Sequence, residues 1–223
     1  MKIKIIGADA AFDGLNTSLF FTDDSGRGVL VDCGFTVFPE LTRSGLREKV
    51  DVVLISHLHA DHTGSLCTLA IWSLLARKKK IFIGGTDMAE LFAIQGIHPD
   101  DYIPLAADDP LNIKTMRTGH IPGFGYNNAL FIADAILYSG DSNESVLGSD
   151  YARSAKVIFH ETTNRDSAAY AHAHLDVLNK AAPEVKAKTW LVHIEESGRA
   201  EIEAAAAGMG FAGVCCNGQE IEI

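Results

Sequence analysis

The apolar run Val52-Val53-Leu54-Ile55 opens directly into Ser56-His57-Leu58-His59-Ala60-Asp61-His62, and this junction constrains the fold more than any other stretch of the chain. Four consecutive aliphatic residues read as a buried strand. Three imidazoles and a carboxylate then follow within six residues. Histidines at i and i+2 of an extended segment point the same way, so His57 and His59 can grip one ion. Asp61 and His62, past the bend, face a neighbouring position. A strand that delivers such a cluster into a loop is a way of building a metal site.

The chain has nine histidines, and most of the others fall where a second strand end would place them. His120 follows Ile113-Lys114-Thr115-Met116, His160 closes Lys156-Val157-Ile158-Phe159, and His193 closes Thr189-Trp190-Leu191-Val192. His172 and His174 lie in Tyr170-Ala171-His172-Ala173-His174-Leu175-Asp176. In Ser139-Gly140-Asp141-Ser142 a strand stops at a glycine and presents a carboxylate. His98 stands apart, in the turn-like His98-Pro99-Asp100-Asp101. Several strand ends carrying ligand types suggest one catalytic edge of a sheet.

Strand patterns cover residues 3–6, 18–21, 28–31, 52–55, 81–83, 113–118, 128–132, 136–138, 157–159, 189–192 and 219–223. Helical patterns cover 65–77, 87–95, 174–180 and 199–208, the last rich in alanine and ending at Gly208. Asp23-Asp24-Ser25-Gly26 is a hairpin turn signal. A first half that is mostly β and a second that interleaves helices with strands fits two packed sheets with helices outside. At 223 residues, with no linker or repeat, a single domain over 1–223 is expected.

The balance of 19 basic against 29 acidic residues gives a net charge of −10, which argues against a long polyanion partner. The basic run Arg77-Lys78-Lys79-Lys80 reads as a solvated junction. No stretch has the length of a membrane span, and the start reads as a first strand rather than a signal peptide, so a cytoplasmic protein with no membrane partner is expected. Cys33, Cys67, Cys215 and Cys216 show no CxxC spacing and read as reduced, buried thiols.

His57, His59 and His120 can hold one divalent ion, and Asp61, His62 and His193 a second, with Asp141 bridging both. Nitrogen and oxygen donors without thiolate suit Zn2+, and also Mn2+ or Fe. Two such ions activate a water and polarise an ester or phosphodiester, which gives hydrolysis without a protein nucleophile. No P-loop or GxSxG elbow competes for that role.

In these motifs and their order the chain resembles the metallo-β-lactamase-fold hydrolases. The opening from Gly7 through Asn16-Thr17-Ser18-Leu19-Phe20-Phe21 to Val31-Asp32-Cys33-Gly34 resembles that family's first hairpin, and His57, His59, Asp61 and His62 match its HxHxDH signature. His120, Asp141 and His193 match the later ligands. The resemblance implies a four-layer αββα sandwich of the α/β (α+β) class, two divalent metal ions, and Asp61 as both ligand and catalytic residue. Within the family, His160-Glu161-Thr162-Thr163 resembles the HEAT motif of the ribonuclease Z and phosphodiesterase branch. His172-Ala173-His174 stands in place of that branch's H-x-S/T proton donor, with a second histidine where the hydroxyl would be. His172, 21 positions before His193, fits the spacing; His174 is the alternative, and Glu161 would orient whichever acts. Asp32 is a candidate partner for a ligand histidine.

Asp141 follows His120 by only 21 positions, which leaves no room for the tRNA-clasping arm of ribonuclease Z enzymes. The leading expectation is therefore a dinuclear phosphodiesterase acting on a small or cyclic phosphodiester, with folded RNA disfavoured as a partner. Hydrolysis of carboxylic esters, thioesters, lactones or β-lactams is the enzymatic alternative, and a non-catalytic metal-binding regulatory module the alternative of another class. Recognition is expected from residues 121–126 and 35–46. The sequence leaves oligomeric state open, a homodimer being among the arrangements it allows.

Overall fold

The computed structural model describes residues 1–121, 127–168 and 171–223. Its first sheet takes β1 (Lys2–Gly7), β2 (Ser18–Thr22), β3 (Gly28–Val31), β4 (Val50–Ile55), β5 (Phe82–Gly85) and β6 (Ile103–Pro104). The second takes β7 (Lys114–Thr118), β8 (Asn127–Ile132), β9 (Ile136–Tyr138), β10 (Val157–Glu161), β11 (Thr189–Val192) and β12 (Gly213–Val214). A last strand, β13 (Glu220–Glu222), returns to the first sheet beside β1. The orders are β13-β1-β2-β3-β4-β5-β6 and β12-β11-β10-β9-β8-β7. Each sheet is an antiparallel meander at one end and parallel at the other.

Both faces of the central strands are covered, which is why they read as apolar runs rather than as alternating patterns. In β4, Val52 and Leu54 face the other sheet, while Val53 and Ile55 face helices. In β10 the same division puts Val157 and Phe159 between the sheets and Ile158 outside. Helices α1 (Val37–Arg43), α3 (Leu66–Trp72) and α4 (Ala89–Ile94) cover the first sheet. The second is covered by α5 (Asp150–Ser154), α6 (Leu175–Leu178), α7 (Pro183–Lys186) and α8 (Glu196–Met209). The result is the expected four-layer αββα sandwich.

The differences from the sequence reading are local. The two-residue strands β6 and β12 carry too few residues for any period, and α1, α5 and α7 span seven, five and four residues. Residues 35–46, expected as a recognition loop, fold largely into α1, whose Val37 and Leu41 are buried. Cys33, Cys67 and Cys215 are buried free thiols, but Cys216 is exposed, contrary to the expectation for all four. The basic run is a junction, with Arg77 and Lys79 both paired to Asp51. No helix among the described residues is long and apolar enough to cross a membrane.

Candidate functional site

Most candidate ligands sit just past the ends of parallel-paired strands, the usual place for a binding site in such sheets, while His120 follows the antiparallel edge strand β7. β4 runs out into Ser56 and His57, and His59 begins the one-turn helix α2 (Ala60–Thr63) that carries Asp61 and His62. β9 leads to Asp141, β10 ends on Glu161, and β11 leads to His193. Asp32 and His193, each just past a strand, have φ of 57°, a left-handed conformation that costs a non-glycine residue of order 1–3 kcal/mol. Both side chains are buried in the polar cluster that the turns create.

All seven expected metal ligands converge. His57, His59 and His120 form one group, and Asp61, His62, Asp141 and His193 another, with donor atoms within 4.8 Å of one another. His120 Nε2 lies 3.1 Å from His59 Nδ1, His62 Nε2 lies 3.1 Å from Asp61 Oδ2 and 3.3 Å from Asp141 Oδ1, and His193 Nε2 lies 3.2 Å from Asp61 Oδ2. Ligand atoms on a tetrahedral cation with bonds near 2.0–2.1 Å stand about 3.3 Å apart. Nε2 of His57, Nε2 of His62 and Oδ1 of Asp141 are buried without a hydrogen-bond partner. Lone pairs left bare in this way are what a cation satisfies. The residues present therefore fit a pair of divalent cations, with Asp141 reaching both groups: it lies 3.7 Å from His120 and 3.4 Å from His193.

The field in the cluster favours positive charge. Burial opposes a charge on His62, but Asp141 and Asp32 on either side raise its pKa well above the usual histidine value. Burial likewise opposes ionisation of Asp61, yet a hydrogen bond from His193 and the adjacent charge of His62 hold it below the ordinary carboxylate range. His57 goes the other way, pushed down by burial and by its neighbour His62. A neutral imidazole offering a lone pair is the form that binds a metal.

A fully buried carboxylate fixes the geometry from behind. Asp32 accepts hydrogen bonds from Ser56 N at 2.8 Å, Ser56 Oγ at 2.7 Å, His62 Nδ1 at 2.7 Å and Tyr138 Oη at 2.8 Å. That leaves Nε2 of His62 for the cluster, and Ser56 Oγ in turn meets His57 Nδ1 at 3.1 Å. His120 Nδ1 donates to the Ala171 carbonyl at 2.8 Å. Ser56 and Tyr138 went unassigned in the sequence, where each is only the polar end of an apolar strand. Asn127 was also missed. It accepts from Asp141 N at 3.2 Å and donates to the Ser139 carbonyl at 2.6 Å, which shapes the turn carrying Asp141, and no residue pattern announces it.

The two proton-donor candidates part company. His172 Nδ1 donates to Glu161 Oε2 at 3.2 Å, and its ring stacks against His193 with centroids 5.3 Å apart. Burial works against its charge, but the hydrogen bond and charge of Glu161, aided by Asp141 and Asp61, raise its pKa to about 9. Glu161 is itself held by Ala173 N at 2.7 Å and Ser142 N at 3.2 Å. His174 instead starts α6, where its Nδ1 accepts from Asp176 N, and the structure does not bring it to the ligand groups. His160 belongs to the core: its Nε2 accepts from Val146 N, and burial lowers its pKa to about 4.

A cavity of about 470 Å3 opens over the cluster, bordered by His59, His120, Asp141, His172 and His193, and by Phe12, Phe35 and Ile121 at its rim. Of the expected recognition segments only Phe35 and Ile121 are seen there, since residues 122–126 lie outside the described residues.

Comparison with known proteins places this geometry. The human tRNase Z short form superposes with a TM-score of 0.71 at 17% identity, covering 100% of this chain and 99% of that one. The metallo-β-lactamase fold protein YhfI from Bacillus subtilis superposes with a TM-score of 0.76 at 20% identity, covering 99% and 98%. These likenesses show the fold. In sequence, a protein of Paenibacillus harenae named anti-Pycsar protein Apyc1 is 30% identical over 220 residues, covering 86% of this chain and 89% of that one. The family model described as anti-Pycsar protein Apyc1 matches residues 1–92 and 76–217. With the model spanning nearly the whole chain, this protein, folded as a metallo-β-lactamase, belongs to the Apyc1 family of anti-Pycsar proteins.

Proposed function

We propose that the chain is a dinuclear metal-dependent phosphodiesterase acting on a small or cyclic phosphodiester. The observation that carries this reading is His172, tethered to Glu161 and stacked on His193 at the lip of a complete ligand set. Opening a phosphodiester expels an alkoxide, which needs a proton, and His172 is placed to give one. His57, His59 and His120 would hold one cation, Asp61, His62 and His193 the other, and Asp141 both, with zinc the first choice for this donor set. When bound, the two cations supply a water-derived nucleophile and charge to receive the phosphoryl oxygens. Asp32 keeps His62 aimed. Glu161 holds His172 through Nδ1, leaving Nε2 to give its proton to the leaving oxygen. His174, as a helix cap, takes no part.

Among small cyclic phosphodiesters, a 3′,5′-cyclic nucleotide is the first substrate to test. A net charge of −10 and a short stretch between His120 and Asp141 disfavour a folded RNA. Zinc- or manganese-loaded protein should hydrolyse 3′,5′-cyclic nucleotides to the monophosphate, while cleaving lactones, nitrocefin and precursor tRNA poorly or not at all. Lactone hydrolysis without phosphodiesterase activity would move the assignment to carboxylic esters. Efficient precursor tRNA cleavage at physiological salt would restore a ribonuclease.

A further inference from the structure

Phe12 is 98% exposed, although the backbone on either side of it is tied down. Ala10 N donates to the Ile194 carbonyl at 3.3 Å, Asn16 Nδ2 to the Ala11 carbonyl at 3.2 Å, and Glu196 N to Asp13 Oδ2 at 2.9 Å. At the base of the loop, Asp9 accepts from Leu15 N at 2.8 Å, Asn217 Nδ2 at 2.8 Å and Arg199 Nη2 at 2.5 Å. A phenyl ring on so constrained a backbone has not strayed into solvent through looseness. It is displayed there, and forgoes the burial that would stabilise it.

What lies beneath it gives that display a purpose. Phe12 borders the cavity over the ligand cluster and also an adjoining cavity of about 300 Å3 that shares His172 and His193 with the first. Phe35, 46% exposed, borders the first cavity as well. Among the described residues lining the second cavity, Arg165 is already answered by Glu195 at 2.5 Å and Ser197 Oγ at 2.9 Å, and His172 by Glu161 at 3.2 Å. This end of the cleft therefore sets the Phe12 ring beside cations that are already paired, rather than beside unbalanced positive charge. It suits a flat, neutral group better than a second phosphate.

We infer that Phe12, with Phe35 on the same rim, is a stacking shelf for the heteroaromatic base of a nucleotide whose phosphodiester lies at the His/Asp cluster. The inference rests on the phosphodiesterase reading and assigns the side chains that would hold the base of its substrate. Every nucleobase has a π face, so stacking on a phenyl ring does not by itself select purines over pyrimidines. The scissile phosphate is held by the cluster and the base by the ring above it. Discrimination between bases is then weak, while discrimination against base-free phosphodiesters is strong.

The test compares a 3′,5′-cyclic nucleotide with the base-free methyl riboside 3′,5′-cyclic phosphate on metal-loaded protein. F12A should raise KM for the nucleotide about 10-fold with little change in kcat, and leave KM for the base-free compound where it is. F12Y should keep the wild-type KM. Independently of turnover, F12W should show saturable fluorescence quenching by a nucleoside 5′-monophosphate and none by ribose 5-phosphate. An equal loss on both cyclic substrates, an unchanged nucleotide KM, or a change in sedimentation mass of F12A marking the ring as a subunit contact would overturn the shelf. If wild-type protein turns over neither substrate, the phosphodiesterase reading fails, and the F12W titration still decides whether bases are bound.

Discussion

Removing the His172 ring should leave the seven-donor cluster intact, because its Nδ1 is committed to Glu161 and its contacts with His120 and His193 are ring to ring. His172→Ala is expected to lower turnover by about 10²–10⁴-fold with metal content unchanged. The loss should shrink for bis-p-nitrophenyl phosphate, since p-nitrophenolate departs with little help from a proton; an equal loss for every substrate would make the residue structural. The choice between His172 and His174 could not be read from the sequence. Both are imidazoles at alternate positions of one segment, and the group that separates them, Glu161, stands 11 residues from His172 and meets it only in the fold. The HxHxDH cluster was legible because one strand and one turn carry four donors. His120, Asp141 and His193 were legible because strand ends are easily read and because the family order fixed their roles.

Strand ends act here as levers, and the Ser139-Gly140-Asp141 turn shows how little slack they have. Gly140 has φ of 55°, and a Cβ there would come 2.1 Å from Asn127 Oδ1 and 2.7 Å from Ser56 Cβ. Gly140→Ala must therefore displace the turn that aims Asp141, the strand end that aims His57, or both. The expected outcome is fewer than two bound metals by elemental analysis and a stability loss of roughly 1–3 kcal/mol in urea. Two tightly bound metals and an unchanged midpoint would mean that the turn is softer than its contacts imply. At this scale the doubly covered strands were readable from their unbroken apolar runs, such as Val52-Val53-Leu54-Ile55. Helix α1 was not: seven residues that include Pro39, packed on a sheet through Val37 and Leu41, give the helical period too little length to show.

The ligand cluster draws on both sheets, with His57, His59, Asp61 and His62 after a strand of one and His120, Asp141 and His193 after strands of the other. Metal bound at the seam is linked to the docking of the two halves. At free metal 100-fold above Kd, each site adds about 2.7 kcal/mol to stability. Stripping with a chelator should therefore lower Tm by roughly 5–20 °C, reversibly on adding zinc or manganese, with uptake approaching two ions per chain. An unchanged Tm, or saturation at one ion, would contradict the dinuclear centre. Among the described residues the two sheets end in four edge strands, and each is blunted. β6 is two residues long and ends in Pro104, β12 is two residues long, β13 carries Glu220 and Glu222, and β7 carries Lys114 and Arg117. Open edges are templates on which further chains can add strand by strand. Short length, a missing amide hydrogen and like charges weaken that template at each of these edges, which disfavours growth into fibrils by strand addition.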